Sequence, residues 1–173
     1  ALTLWSMMSG YLTALLLFTL ARRYMDTLWS LTLLLLFIST PAVIYGAGSG
    51  QVEVRNAAFV LASAFALSQG IAKSQIQWII IAGLAAGLFA GAKYSGLFYI
   101  ASAGLTLLLF KPAFRYVIGF SSAALVAGCQ WYLWNWFHTG DPVFPALFGL
   151  LPYKEPAFWD AAHNAFLQYR VTY

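Results

Sequence analysis

Three short polar clusters stand at the ends of apolar runs, and they hold the side chains that could do chemistry. Glu53 and Arg55 stand just before an apolar run. Lys93, Tyr94 and Ser95 separate two others. His138 and Asp141 lie where a long apolar run ends in Trp134-Asn135-Trp136-Phe137-His138-Thr139-Gly140-Asp141-Pro142-Val143-Phe144-Pro145. A carboxylate can take a proton from a hydroxyl, and Lys or Arg can hold a phosphate. Charges at a membrane edge are costly, so they are functional candidates. Each also has a plainer reading. Glu53 and Arg55 suit a solvated loop or a surface ion pair. Lys93 suits a lysine whose stem lies along lipid and whose head reaches the headgroups. Asp141 suits a turn former, because Gly140 tolerates positive φ, Asp caps turns and Pro142 fixes its own φ.

The elements that must carry these clusters are membrane helices. Of 173 residues, 62% are hydrophobic and 8% charged, with mean hydropathy +0.77. Soluble domains carry about 25% charged residues. So much apolar surface requires lipid as its solvent. A net charge of +4 is too small and too scattered to suggest nucleic acid, and no nucleic-acid partner is expected. Cys129 is the only cysteine, so no internal disulfide forms. The sequence opens at Ala1 almost inside an apolar run, without Met or a signal-peptide pattern, and reads as a fragment cut at both ends. There is no P-loop, dinucleotide glycine pattern, zinc-ligand spacing or nucleophile elbow. His138 and His163 are too far apart in sequence to suggest a metal site. No cofactor and no metal are expected.

Six apolar stretches suit helices: 2–20, 28–45, 57–71, 76–92, 97–110 and 116–136. The third is short for a span unless it begins in the polar residues before it. Pro41 predicts a kink or an early end in the second. Gly46-Ala47-Gly48-Ser49-Gly50 reads as a flexible loop, and Lys73-Ser74-Gln75 as a tight turn. Gly83, Gly87 and Gly91 recur four apart, a spacing that lets helix backbones approach closely in lipid. Residues 1–137 therefore form an all-α transmembrane bundle of about six spans. Residues 138–173 form an extracytoplasmic or interfacial segment. In it Tyr153, Phe158, Trp159, Phe166, Tyr169 and Tyr173 are interleaved with charges, and Pro156 can open a short interfacial helix.

Six spans divide the hinge charges between two sides. One side takes Arg22, Arg23, Lys73, Lys111 and Arg115 against Asp26. The other takes Arg55, Lys93, Lys154 and Arg170 against Glu53, Asp141, Glu155 and Asp160. The positive-inside rule puts the first set in the cytoplasm and all three polar clusters outside.

Several of these stretches resemble one family. Gly83-Leu84-Ala85-Ala86-Gly87 followed by Ala92-Lys93-Tyr94-Ser95-Gly96-Leu97 resembles a run common in polytopic glycosyltransferases of the GT-C fold. These are the relatives of protein O-mannosyltransferases and lipid A aminoarabinose transferases. Asn135, then Thr139 to Pro145, is similar to that group's "Asn … Thr-Gly-Asn-Pro-Val-Tyr/Phe-Pro" element. Ser49 to Val54 resembles its outer loop, where an acidic residue precedes a helix, and Thr40-Pro41 fits the end of the span before that loop. The sequence departs at Trp134, where Arg or Lys is common, at Asp141, where Asn is common, and at Glu53, where Asp is common.

The resemblance implies a sugar donor on a polyprenyl phosphate, with its tail between helices and its phosphate at the outer face of a cell inner or plasma membrane. Basic side chains would stabilise the departing phosphate. Lys93 suits that role, because the helix that follows it would offer N–H groups to an anion. Tyr94, Ser95 and Arg55 would assist, and Glu53 would hold Arg55 or touch the sugar. His138 and Asp141 complete the substrate-binding candidates. The family's acidic catalytic motif lies in a first outer loop. No such loop precedes the first span here, so the base is expected outside this chain and no catalytic residue is named. The sequence specifies neither donor sugar nor acceptor. The rival readings are a transporter or flippase subunit for a lipid-linked or small polar substrate, and a structural membrane subunit.

The charge division predicts Arg22, Lys73 and Arg115 on one side of the membrane, and Arg55, Lys93 and Asp141 on the other. Single cysteines placed at 51 and 75 in a Cys129→Ser background should be labelled by an impermeant maleimide from opposite sides. Labelling of both from one side contradicts the division.

Overall fold

The computed structural model describes residues 2–111, 113–145 and 154–170. These are helices joined by short turns, with no strand among the described residues. In order they are α1 (Leu2–Ala21), α2 (Thr27–Ser39), α3 (Pro41–Ser49), α4 (Glu53–Lys73), α5 (Ile76–Ala92), α6 (Ser95–Phe110), α7 (Phe114–Thr139) and α8 (Pro156–Arg170). Two compact units are present, Ala1–Cys129 and Gln130–Tyr173, divided within α7. Tyr153 and Tyr173 lie outside the described residues.

Helices cover all six apolar stretches of the sequence. Three are long and apolar enough to cross a membrane: α1 from Thr3, α4 and α7. The α2–α3 pair makes a fourth if its two arms count as one span. Pro41 follows the residue that ends α2, and the axes bend there by 58°. The third stretch gains its length as the sequence required: α4 begins back at Glu53 and runs for 21 residues. With 17 and 16 residues, α5 and α6 rise about 24–26 Å, a little short of a 30 Å core. Leu35, Leu109, Val126 and many other large apolar side chains are exposed, as lipid-facing residues are.

The glycine-rich stretch differs from expectation. Gly46 to Ser49 are helical, as part of α3, and only Gly50 leaves the helix, at φ 77°. A helical glycine gives up about 1 kcal/mol relative to alanine. An unpaired backbone group in lipid costs several. Helix therefore wins, and Gly50 serves as the left-handed end cap.

Within the first unit, α4 and α5 run antiparallel from the turn at Ser74, which adopts φ 56°. The Ser63 hydroxyl donates to the Ala82 carbonyl across this pair at 2.8 Å. The core centres on Leu67, Ile79, Ala82, Ala86, Leu107 and Phe120. From α1, the Thr13 hydroxyl donates to the carbonyls of Ser9 and Val54, and that of Ser6 to Gln51. These bonds seat α1 against the start of α4.

The glycine stripe on α5 brings it against α7. A Cβ on Gly83 would collide with the Phe120 carbonyl oxygen, and one on Gly87 with that of Ala124. Gly128 on α7 approaches Gly87 in the same way. Gly87→Ala should therefore destabilise the protein by about 1–3 kcal/mol, because backbone and not a flexible side chain must yield. Gly104, with nothing near its Cβ position, should accept Ala without loss. Thermal unfolding in detergent distinguishes them; equal melting temperatures contradict this packing.

Candidate glycosyl-donor site

The first turn of α4 and the last residue of α5 meet because these helices run antiparallel. Val52 precedes α4 without a side-chain cap, so the N–H groups of the first turn favour a negative charge, which Glu53 supplies. Lys93 ends α5 in extended conformation, and its N–H still donates to Phe89. Its Nζ lies 3.3 Å from Glu53 Oε1. The two side chains are 52% and 56% exposed, so the pair contributes at most about 1 kcal/mol. Two of the three polar clusters of the sequence thus share one end of the first unit.

Arg55 is not Glu53's partner. Its Nε is buried and makes no hydrogen bond. Beside it in sequence, Asn56 is 6% exposed and its Oδ1 is also without a partner. A buried donor and a buried acceptor left open are uncommon and call for a ligand or water. Asn56 was not among the sequence candidates. The available signal was a lone amide at the mouth of an apolar run.

Tyr94 and Ser95 open α6. The N–H groups of Gly96 and Leu97 donate to the carbonyls of Lys93 and Tyr94. These donors are therefore occupied, and the anion preference expected of this helix start shrinks accordingly. Gly96 packs so tightly on Ala90 that any Cβ would strike its backbone. Lys93 is held at a rigid corner.

The remaining candidates fold into the second unit. Asp141 is 1% exposed, and its carboxylate accepts the Val143 N–H at 2.9 Å. The Thr139 hydroxyl accepts the Asp141 N–H and donates to the Asn135 carbonyl. Asn135 Nδ2 donates to the carbonyl of Phe144 at 3.3 Å. Lys154 donates from Nζ to the Phe137 carbonyl, and from its backbone to Thr139, at the end of α7. Asp141 thus has a turn former's geometry. His138 is exposed, with its ring stacked on Trp134 at 4.2 Å and Nδ1 2.8 Å from the Trp134 carbonyl. Among the described residues no group of His, Cys, Asp and Glu is placed to hold a metal.

Residues 1–136 match a family described as dolichyl-phosphate-mannose-protein mannosyltransferase. The chain belongs to this family. It is therefore an integral membrane protein of a glycosyltransferase family of the mannosyltransferase type, with the GT-C resemblance shown. The family implies a lipid-linked sugar donor and a membrane setting. No curated protein and no solved structure matches the chain. The match includes Glu53, Arg55, Lys93, Tyr94 and Ser95 and stops before His138 and Asp141.

Proposed function

We propose that the protein takes part in transfer of a sugar, mannose by family, from a polyprenyl phosphate to an acceptor hydroxyl at the extracytoplasmic face. The observation that carries this reading is the buried Arg55 Nε, without a hydrogen-bond partner, in the same helical turn as Glu53, which pairs with Lys93. Charge bias supports the outer placement. Lys73, Lys111 and Arg115 gather around the α4–α5 turn, at the end away from Glu53 and Lys93.

The reaction is a displacement at the anomeric carbon. The acceptor oxygen bonds to that carbon and gives its proton to a general base. The bond from the carbon to the phosphate oxygen breaks, and the polyprenyl phosphate leaves with the electron pair. Negative charge grows on that phosphate, so fixed cations beside it lower the barrier. Arg55 supplies a planar donor group whose Nε is buried, and Lys93 a compact point charge. The hydroxyls of Tyr94 and Ser95 add hydrogen bonds. In the resting protein Glu53 holds Lys93, and the arriving phosphate takes its place. The donor reading rests on these five residues alone.

Binding of radiolabelled polyprenyl-phosphate mannose to the protein in lipid nanodiscs tests the reading. Lys93→Gln and Arg55→Gln should each weaken binding about tenfold, the loss of one charge-assisted hydrogen bond. Glu53→Gln should tighten it up to about fivefold, because an exposed ion pair no longer competes. Wild-type affinity in Lys93→Gln would make Lys93 an ordinary surface lysine. Weaker binding in Glu53→Gln would place Glu53 on the sugar.

A further inference from the structure

The opposite end of the first unit holds a second set of cations that donor binding does not use. The turn between α4 and α5 is clamped by residues from the end of α6 and the start of α7. Lys111 Nζ donates to the Ser74 hydroxyl at 2.7 Å, and the Tyr116 hydroxyl donates to the Ser74 carbonyl at 2.8 Å. Arg115 Nη2 donates in turn to the Tyr116 hydroxyl at 3.0 Å. Lys73, next to Ser74, lies with its Nζ 5.9 Å from the Trp78 ring centroid. Lys111 directly and Arg115 through Tyr116 are thereby tied to one serine, and Lys73 is its chain neighbour.

Among the described residues none of the three is paired with a carboxylate. In residues 1–129 the only acids are Asp26 and Glu53. The Asp26 side chain caps α2 by accepting from Trp29 N, and Glu53 is bonded to Lys93 at the far end. Like charges gathered around one turn repel one another, and an anion among them relieves that repulsion. The flanks indicate what the anion is attached to. Leu109, Phe110 and Phe114, the apolar neighbours of Lys111 and Arg115, are all exposed. A free phosphate has no use for such a wall, whereas acyl chains lie along it.

We propose that Lys73, Lys111 and Arg115, organised around Ser74, bind the phosphodiester headgroup of one anionic phospholipid in the leaflet opposite the donor site. The lipid cross-links the α4–α5 turn to the start of α7. It thereby braces the helices whose other ends carry Glu53 and Lys93. Basic pockets between membrane helices on the cytoplasmic side are suited to such headgroups.

Native mass spectrometry of the whole chain in detergent, titrated with phosphatidylglycerol, phosphatidylcholine or inorganic phosphate, tests the proposal. One phosphatidylglycerol should be retained in preference to phosphatidylcholine, and millimolar phosphate should not displace it. Lys73→Gln with Lys111→Gln should cut that occupancy about tenfold, Lys73→Arg with Lys111→Arg should preserve it, and Arg55→Gln should leave it unchanged. Equal retention of both lipids, or full retention in the double Gln variant, overturns the proposal. Displacement by inorganic phosphate would leave a simple anion site with no lipid specificity. Should the Gln variant fail to fold, the wild-type preference and the phosphate competition still decide.

Discussion

The close approach of α5 to α7 is the constraint on which the first unit depends. Gly83 and Gly87 face the carbonyl oxygens of Phe120 and Ala124, with no room for a side chain. In lipid there is no hydrophobic drive to bring helices together, so dispersion and backbone contacts at small residues must do so. With α5 fixed, the Ser63–Ala82 bond sets α4 against it, and Thr13 and Ser6 set α1 against the start of α4 and the residue Gln51 before it. Both charged ends follow from this frame. Glu53 can meet Lys93 because α4 and α5 return the chain to the level at which it entered.

The two ends are balanced differently. At the Glu53 end an acid is present, and it neutralises Lys93 with a weak, exposed bond. Such a bond is a good placeholder, since an exposed ion pair yields to another anion at little expense in stability. Arg55 stays open, and its buried Nε is the stronger sign of an absent partner. At the other end no acid among the described residues is bonded to the cations, and hydroxyl and carbonyl groups position them.

Much of this was legible in the sequence, and for a physical reason. Lipid forces every buried backbone group into a helix, so long apolar runs broken by charges locate the elements directly. The kink at Pro41, the turn at Ser74 and the packing role of Gly83 and Gly87 follow from local chemistry. The same rule makes Gly46 to Ser49 helix, although their glycines suggest a loop, because backbone hydrogen bonding overrides glycine's freedom. The Glu53–Lys93 bond joins residues 40 apart and depends on two helices of 21 and 17 residues ending at one level. No local pattern encodes that. The open Arg55 and Asn56 atoms were invisible for a different reason: a missing partner is a property of the packed structure alone.

The central claim is that the phosphate of a lipid-linked sugar lies among Glu53, Arg55 and Lys93. Photo-crosslinking with a polyprenyl phosphate that bears a diazirine beside the phosphate, followed by peptide mapping, tests it most directly. The account predicts adducts within residues 51–56 and 92–96, lost in the Arg55→Gln variant. Adducts confined to residues 73–78 and 111–116, or unchanged by that variant, would contradict it.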